Sequence, residues 1–169
     1  AKVVLGVTLP MLILLLLVVV MGSLHERELV QSQIELTAAE LSQTIQGSLR
    51  HAMQANDQKG MASMLADVGR METVDRVQIL DFSRQVQVAS HVEDLGLRRN
   101  REYAGCRACH ESAAVDRPES VTLSRPADGL RIATVIRNEP ECAACHAETS
   151  SALGVLLVDV SLNKYSAHL

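Results

Sequence analysis

The sequence predicts an α+β protein: an N-terminal transmembrane helix running on into a long helix, then a small antiparallel sheet that carries two inserts. Three observations carry this prediction. Residues 3–21 are apolar and uncharged, apolar positions then recur at threes and fours as far as residue 52, and period-two alternation begins at Val74. The expected organisation is an anchor over 1–22 and one domain over 23–169, helical over 23–70 and sheet-forming over 71–169.

The apolar stretch comes first. Its nineteen residues would reach roughly 28 Å at about 1.5 Å per residue, close to the hydrocarbon thickness of a bilayer. It is longer than the core of about 7–15 residues found in a cleaved signal peptide, and no Ala-x-Ala exit follows it. Pro10 is a kink that a membrane helix tolerates. Beyond Gly22, Val30, Ile34, Ala38, Leu41, Ile45, Leu49 and Ala52 form one apolar stripe with polar residues between, so the helix should continue to about Gln54. Asn56-Asp57 interrupts it. Asp57 is placed to cap a second helix whose stripe is Met61, Met64, Leu65 and Val68, a methionine-rich face that reads first as core packing.

The texture then changes. Val74, Arg76, Gln78 and Leu80 alternate against Asp75, Val77, Ile79 and Asp81, and Val86-Gln87-Val88 follows a turn at Ser83-Arg84, which predicts a β-hairpin. Residues 93–128 are polar with little periodicity, and a loop that long within one domain points to a functional insert. Residues 130–136 and 154–162 have the composition and length of strands, separated by the turn Asn138-Glu139-Pro140. Four strands are expected in all.

Composition narrows the function classes. The net charge is -4 and no basic run occurs, so a nucleic-acid partner is not expected. One Phe, two Tyr and no Trp leave a core of aliphatic residues, with room for a flat apolar cofactor.

All four cysteines fall into two identical frames, Cys106-Arg107-Ala108-Cys109-His110 and Cys142-Ala143-Ala144-Cys145-His146. C-x-x-C-H is the attachment signature of c-type haem. Two thiols three positions apart reach the two vinyl groups of one porphyrin, and the adjacent histidine lies under the iron as proximal ligand. Two covalent haems are therefore expected, held by Cys106, Cys109 and His110 and by Cys142, Cys145 and His146. A single zinc would need a shorter gap than the thirty-two residues between Cys109 and Cys142, since about 15–20 is usual. Two local disulfides would not require the histidines. A thioredoxin-like redox pair would need a βαβ unit that is not apparent. Covalent attachment follows export, which places the domain outside the cytoplasm.

The order of elements resembles the extracytoplasmic haem-bearing sensor domains, of PAS or single-Cache type, found in bacterial histidine kinases and chemoreceptors. The resemblance is carried by Ser48-Leu49-Arg50-His51-Ala52-Met53 ending the long helix, by Val74-Asp75-Arg76-Val77-Gln78-Ile79-Leu80-Asp81, and by Arg137-Asn138-Glu139-Pro140-Glu141-Cys142. The closing Leu153-Gly154-Val155-Leu156-Leu157-Val158-Asp159-Val160-Ser161-Leu162 matches as well. It implies a single span in the cytoplasmic membrane of a bacterium, with a PAS- or Cache-like haem domain on the periplasmic side. Such receptors continue into a second span and an output module, whereas this sequence stops at Leu169. It reads either as a fragment of a longer receptor or as a stand-alone cytochrome.

Each iron has a sixth position to fill with His, Met, water or a gas. His51 and His91 are the distal candidates; His25 stands near the expected membrane, and His168 near the end of the chain. Met53, Met61 and Met64 are substitutes. Arg98, Arg99, Arg101 and Arg107 read as solvated loop charges rather than propionate partners. The preferred function is one-electron transfer beside a membrane, to a redox partner protein or a membrane oxidoreductase complex. The alternative is a redox or gas sensor. No acid–base constellation suggests an enzyme. The stripe of the long helix is wide enough to pair with a second copy, though core burial accounts for it equally well.

Overall fold

The computed structural model describes residues 2–111, 118–125, 129–147 and 150–161, with backbone alone at 2–10, 23–24, 26–31, 104 and 108. His168 and Leu162 lie outside the described residues. The chain divides into two compact units, Ala1–Thr37 and Ala38–Leu169. The first is a stretch of helix α1 (Lys2–Gln54), and the second contains the rest of that helix and everything after it.

The expected transmembrane helix is not found. Among the described residues, no helix is long and apolar enough to cross a membrane. The eleven side chains from Met11 to Met21 all face solvent. The transmembrane anchor over 1–22 is withdrawn on this ground.

In the second unit, α1 contributes the stripe Ala38, Ser42, Ile45 and Leu49, all buried and spaced by four, three and four residues. Helix α2 (Gln58–Val68) starts where expected: Asp57 caps it by accepting a hydrogen bond from the Gly60 N–H at 2.8 Å. Five antiparallel strands follow: β1 (Val74–Leu80), β2 (Val86–Ala89), β3 (Ser120–Arg125), β4 (Gly129–Arg137) and β5 (Ala152–Ser161). Their spatial order is β2-β1-β5-β4-β3. The fold is therefore α+β with an antiparallel sheet, and β5 lies at its centre.

Side-chain alternation divides the sheet into two faces. One carries Val77, Ile132 and Val158, which are cross-strand neighbours, together with Ile79, Ile136 and Leu156; these pack with Ile45 and Leu49 of α1 and Leu65 of α2. The Ser42 and Thr134 hydroxyls meet at 2.9 Å within that layer, and Gln46 Nε2 donates to the Val135 carbonyl at 2.8 Å. Each such bond contributes about 1 kcal/mol net and fixes how the helix lies on the sheet. The other face carries Leu80, Val86, Ala133 and Leu157, covered in part by Tyr103.

Residues 93–128, expected to be a structureless insert, contain a helix, α3 (Ala104–His110), and the edge strand β3. Ser120 to Arg125 does alternate, with Val121, Leu123 and Arg125 half-buried and the residues between them exposed. An edge strand of two modest apolar residues gives a weak signal, and here the sheet supplies the rest through pairing with β4.

Gly154 marks a close backbone approach between β5 and β1. A Cβ placed there would lie 2.3 Å from the Leu80 carbonyl oxygen, an atom that cannot swing aside. Gly154→Ala should therefore force β5 away from β1 and destabilise the protein by about 1–3 kcal/mol, read as a lower urea midpoint.

Candidate cofactor-attachment sites

The first Cys-x-x-Cys-His frame lies on α3. Cys106 and Cys109 are three residues apart on a helical turn, and His110 ends the helix. Its start is set by the Tyr103 carbonyl, which accepts from the Cys106 and Arg107 N–H groups at 2.8 and 3.1 Å. Gly105 lets the helix sit directly on the sheet: a Cβ there would meet Leu157 Cδ2 at 2.9 Å and Ala133 Cβ at 3.4 Å. Tyr103 is itself pinned by cations, with the Arg131 guanidinium 4.3 Å and that of Arg99 4.9 Å from its ring centre.

A cavity of about 470 Å³ opens beside this frame, lined by Cys106, Cys109 and His110 and by Leu80, Val155 and Leu157 of the sheet. Arg84, Arg101 and Arg137 also face it. Burial pushes the Cys106 thiol up; the charges of Arg84 and Arg131 pull the other way without reversing the shift.

The second frame follows a 3₁₀ turn, Pro140–Cys142, and continues as a helical turn in which the Cys145 and His146 N–H groups both donate to the Cys142 carbonyl, at 3.1 and 3.0 Å. The loop is tied at both ends. Asn138 Nδ2 donates to the Ala147 and Ser150 carbonyls at 2.9 and 2.8 Å, and Arg50 of α1 bonds Glu139 at 2.6 Å. Next to it is a cavity of about 650 Å³, lined by Cys145 and His146, by Met53 and Met61 of the helices, and by Ile79 and Ile136 of the sheet. A smaller hollow of about 80 Å³ brings in Cys142 beside Leu49 and Met53. The two large cavities lie against opposite faces of the sheet.

Both volumes fall in the range of about 300–1,000 Å³ that encloses medium-sized ligands. Apolar side chains at their walls face solvent: Phe82, 63% exposed, borders the first, and Val92, 79% exposed, borders the second. A flat apolar macrocycle would cover such surface. None of the four cysteines is in a disulfide. The residues present therefore fit a haem at each frame.

The expectation of metal binding requires correction. Among the described residues, no three of His, Cys, Asp and Glu come together so as to hold a metal ion. The frames lie on opposite faces of the sheet, so the ligands described in the two frames do not converge on one ion. The distal candidates are not brought to the cavities either. His51 is exposed on α1 and lines neither cavity, and His91 is half-buried, with Nδ1 2.9 Å from Ser90 Oγ. His25 is exposed. Of the arginines, only Arg101 among Arg98, Arg99, Arg101 and Arg107 reaches a cavity wall; Arg99 pairs with buried Asp94 at 3.1 Å, and Arg107 lies 3.4 Å from Glu111. Arg84 and Arg137 were not singled out in the sequence because their proximity to the first frame arises only from strand pairing.

No protein-family model and no curated protein sequence matches this chain.

Proposed function

We propose that this chain is an extracytoplasmic dihaem c-type cytochrome that passes single electrons to and from a redox partner protein. One observation carries the reading: the only four cysteines of the chain form two Cys-x-x-Cys-His frames, and each frame borders its own ligand-sized cavity. Cys106 and Cys109, and Cys142 and Cys145, would hold the porphyrins through thioethers, with His110 and His146 as proximal ligands. A bound haem supplies a one-electron couple whose potential depends on axial ligand, burial and nearby charge. The chain's own residues do the tuning. Leu80, Val155 and Leu157 exclude water on one side, and Met53, Met61, Ile79 and Ile136 on the other. The Met53 and Met61 thioethers line the second cavity, which supports methionine in the sixth position there rather than His51 or His91.

A second reading is the sensor of the resemblance. It is favoured by Met53, which belongs to the last turn of α1 and also borders the second cavity, so that a ligand change there would pull on the helix end. Carbon monoxide added to the reduced protein separates the two. Sharp reduced haem bands that the gas leaves unchanged are the expected result and mean electron transfer; a shift means an exchangeable position and favours sensing. Protein matured with a c-type attachment system that shows no haem spectrum overturns both.

A further inference from the structure

The two large cavities lie against opposite faces of the sheet, yet they meet at one place. Among the described residues, Leu80 and Asp81, at the end of β1, are the only ones that line both. Asp81 is also the only carboxylate at either wall among the described residues. Its charge is distributed over neutral donors. Oδ1 accepts from Ser83 Oγ at 2.7 Å and from the Gln85 N–H at 3.0 Å, and Oδ2 accepts from Gln87 Nε2 at 2.7 Å. No ion pair to it occurs among the described residues. Burial pushes this carboxyl up, but the hydrogen bonds from Ser83, Gln85 and Gln87 outweigh that and hold it below the ordinary carboxylate value. The group is thus a fixed, ionised and un-neutralised charge at the junction of the two sites.

Resting on the dihaem reading, we propose that Asp81 is a positioning charge shared by both haem sites, which favours the oxidised state of each and lowers both reduction potentials together. The two sites otherwise differ in charge. Arg84, Arg101 and Arg137 face the first cavity and act against the carboxylate, whereas among the described residues no arginine or lysine lines the second. Reduction removes a positive charge from an iron centre, so a nearby anion opposes it and a nearby cation assists it. Asp81 is partly open to solvent, which reduces the effect without changing its sign.

The test is a potentiometric titration of the haem absorbance in Asp81→Asn, which keeps an acceptor oxygen for the turn and removes the charge. Both one-electron equilibria should move towards the reduced state by up to about tenfold, equivalent to about 59 mV each. Asp81→Glu should hold both near their original values. Ser83→Ala, which loosens the turn and keeps the charge, should do the same. If Asp81→Asn fails to mature, Gln87→Lys neutralises the carboxylate from its Oδ2 side and should raise both potentials. The inference is overturned if the matured variant leaves either potential in place, or if Ser83→Ala shifts both as far as Asp81→Asn does. Should the wild-type protein carry no covalent haem at all, the dihaem reading falls and takes this inference with it, an outcome distinct from unmoved potentials in a haem-loaded protein.

Discussion

Cys106→Ser/Cys109→Ser, matured with a c-type attachment system, should lose the mass of one haem and about half of the haem absorbance, while Cys142→Ser/Cys145→Ser should do the same for the other site. A serine hydroxyl does not form the thioether, so the change at each site is all or none. Independence follows from the geometry. The first frame is carried by α3 on the face of Leu157 and Ala133, and the second by a loop tied to Asn138 and Arg50. Apart from Leu80 and Asp81, the two cavities share no lining residue among those described. Intact-mass measurement decides between this and the competing chemistry. If the thiols formed local disulfides instead, each double substitution would change the mass only by the exchanged atoms and the loss of a two-hydrogen difference. Replacing all four cysteines should abolish the haem spectrum.

The two Cys-x-x-Cys-His frames were legible in the sequence because they are local: four cysteines and two adjacent histidines need no tertiary context to be recognised. The helices were legible for a related reason. The spacing of Ala38, Ile45 and Leu49, and the Asp57 cap, are properties of a few consecutive turns. What the sequence concealed depends on partners distant along the chain. β3 contains only Val121 and Leu123 as apolar residues, and becomes a strand because β4 offers it a register. α3 is a short helix seated by a glycine contact with β5 that no local pattern reveals. The sixth-ligand expectation for His51 rested on its place near the end of the long helix. The helix turns it outwards and presents Met53 to the second cavity instead. The long apolar segment gave the most misleading signal, since absence of charge over residues 3–21 was read as length sufficient for a bilayer, and among the described residues no helix meets that requirement.

The largest effect on stability is expected at Asp159. Its side chain is 3% exposed on β5 and accepts a bidentate pair of hydrogen bonds from Arg131, from Nε at 2.6 Å and from Nη2 at 2.7 Å, with Arg125 Nη1 a further 3.5 Å away. Burial works against the charge of Arg131, but the bonds to Asp159 hold its guanidinium firmly protonated. Asp159→Ala therefore leaves a charged guanidinium, itself 9% exposed, with no counter-ion at its side. Breaking one partner of such a buried pair costs about 3–5 kcal/mol, whereas losing an exposed helical pair such as Arg107–Glu111 costs no more than about 0.5 kcal/mol. Urea titration of Asp159→Ala and Glu111→Ala should reproduce that contrast in their midpoints. The consequence extends to the first Cys-x-x-Cys-His frame, because Arg131 also stacks on Tyr103, whose carbonyl starts α3. Asp159→Ala should thus reduce haem occupancy at Cys106 and Cys109 more than at Cys142 and Cys145. The double variant Arg131→Met/Asp159→Leu should recover most of the stability, since two apolar residues of similar volume remove both desolvated charges at once. It should not recover the Arg131 cation over Tyr103, where Arg99 alone would remain, so folding would return while α3 stays less firmly seated; equal recovery of stability and first-site haem would mean that the Arg131–Tyr103 stack has no part in positioning the frame.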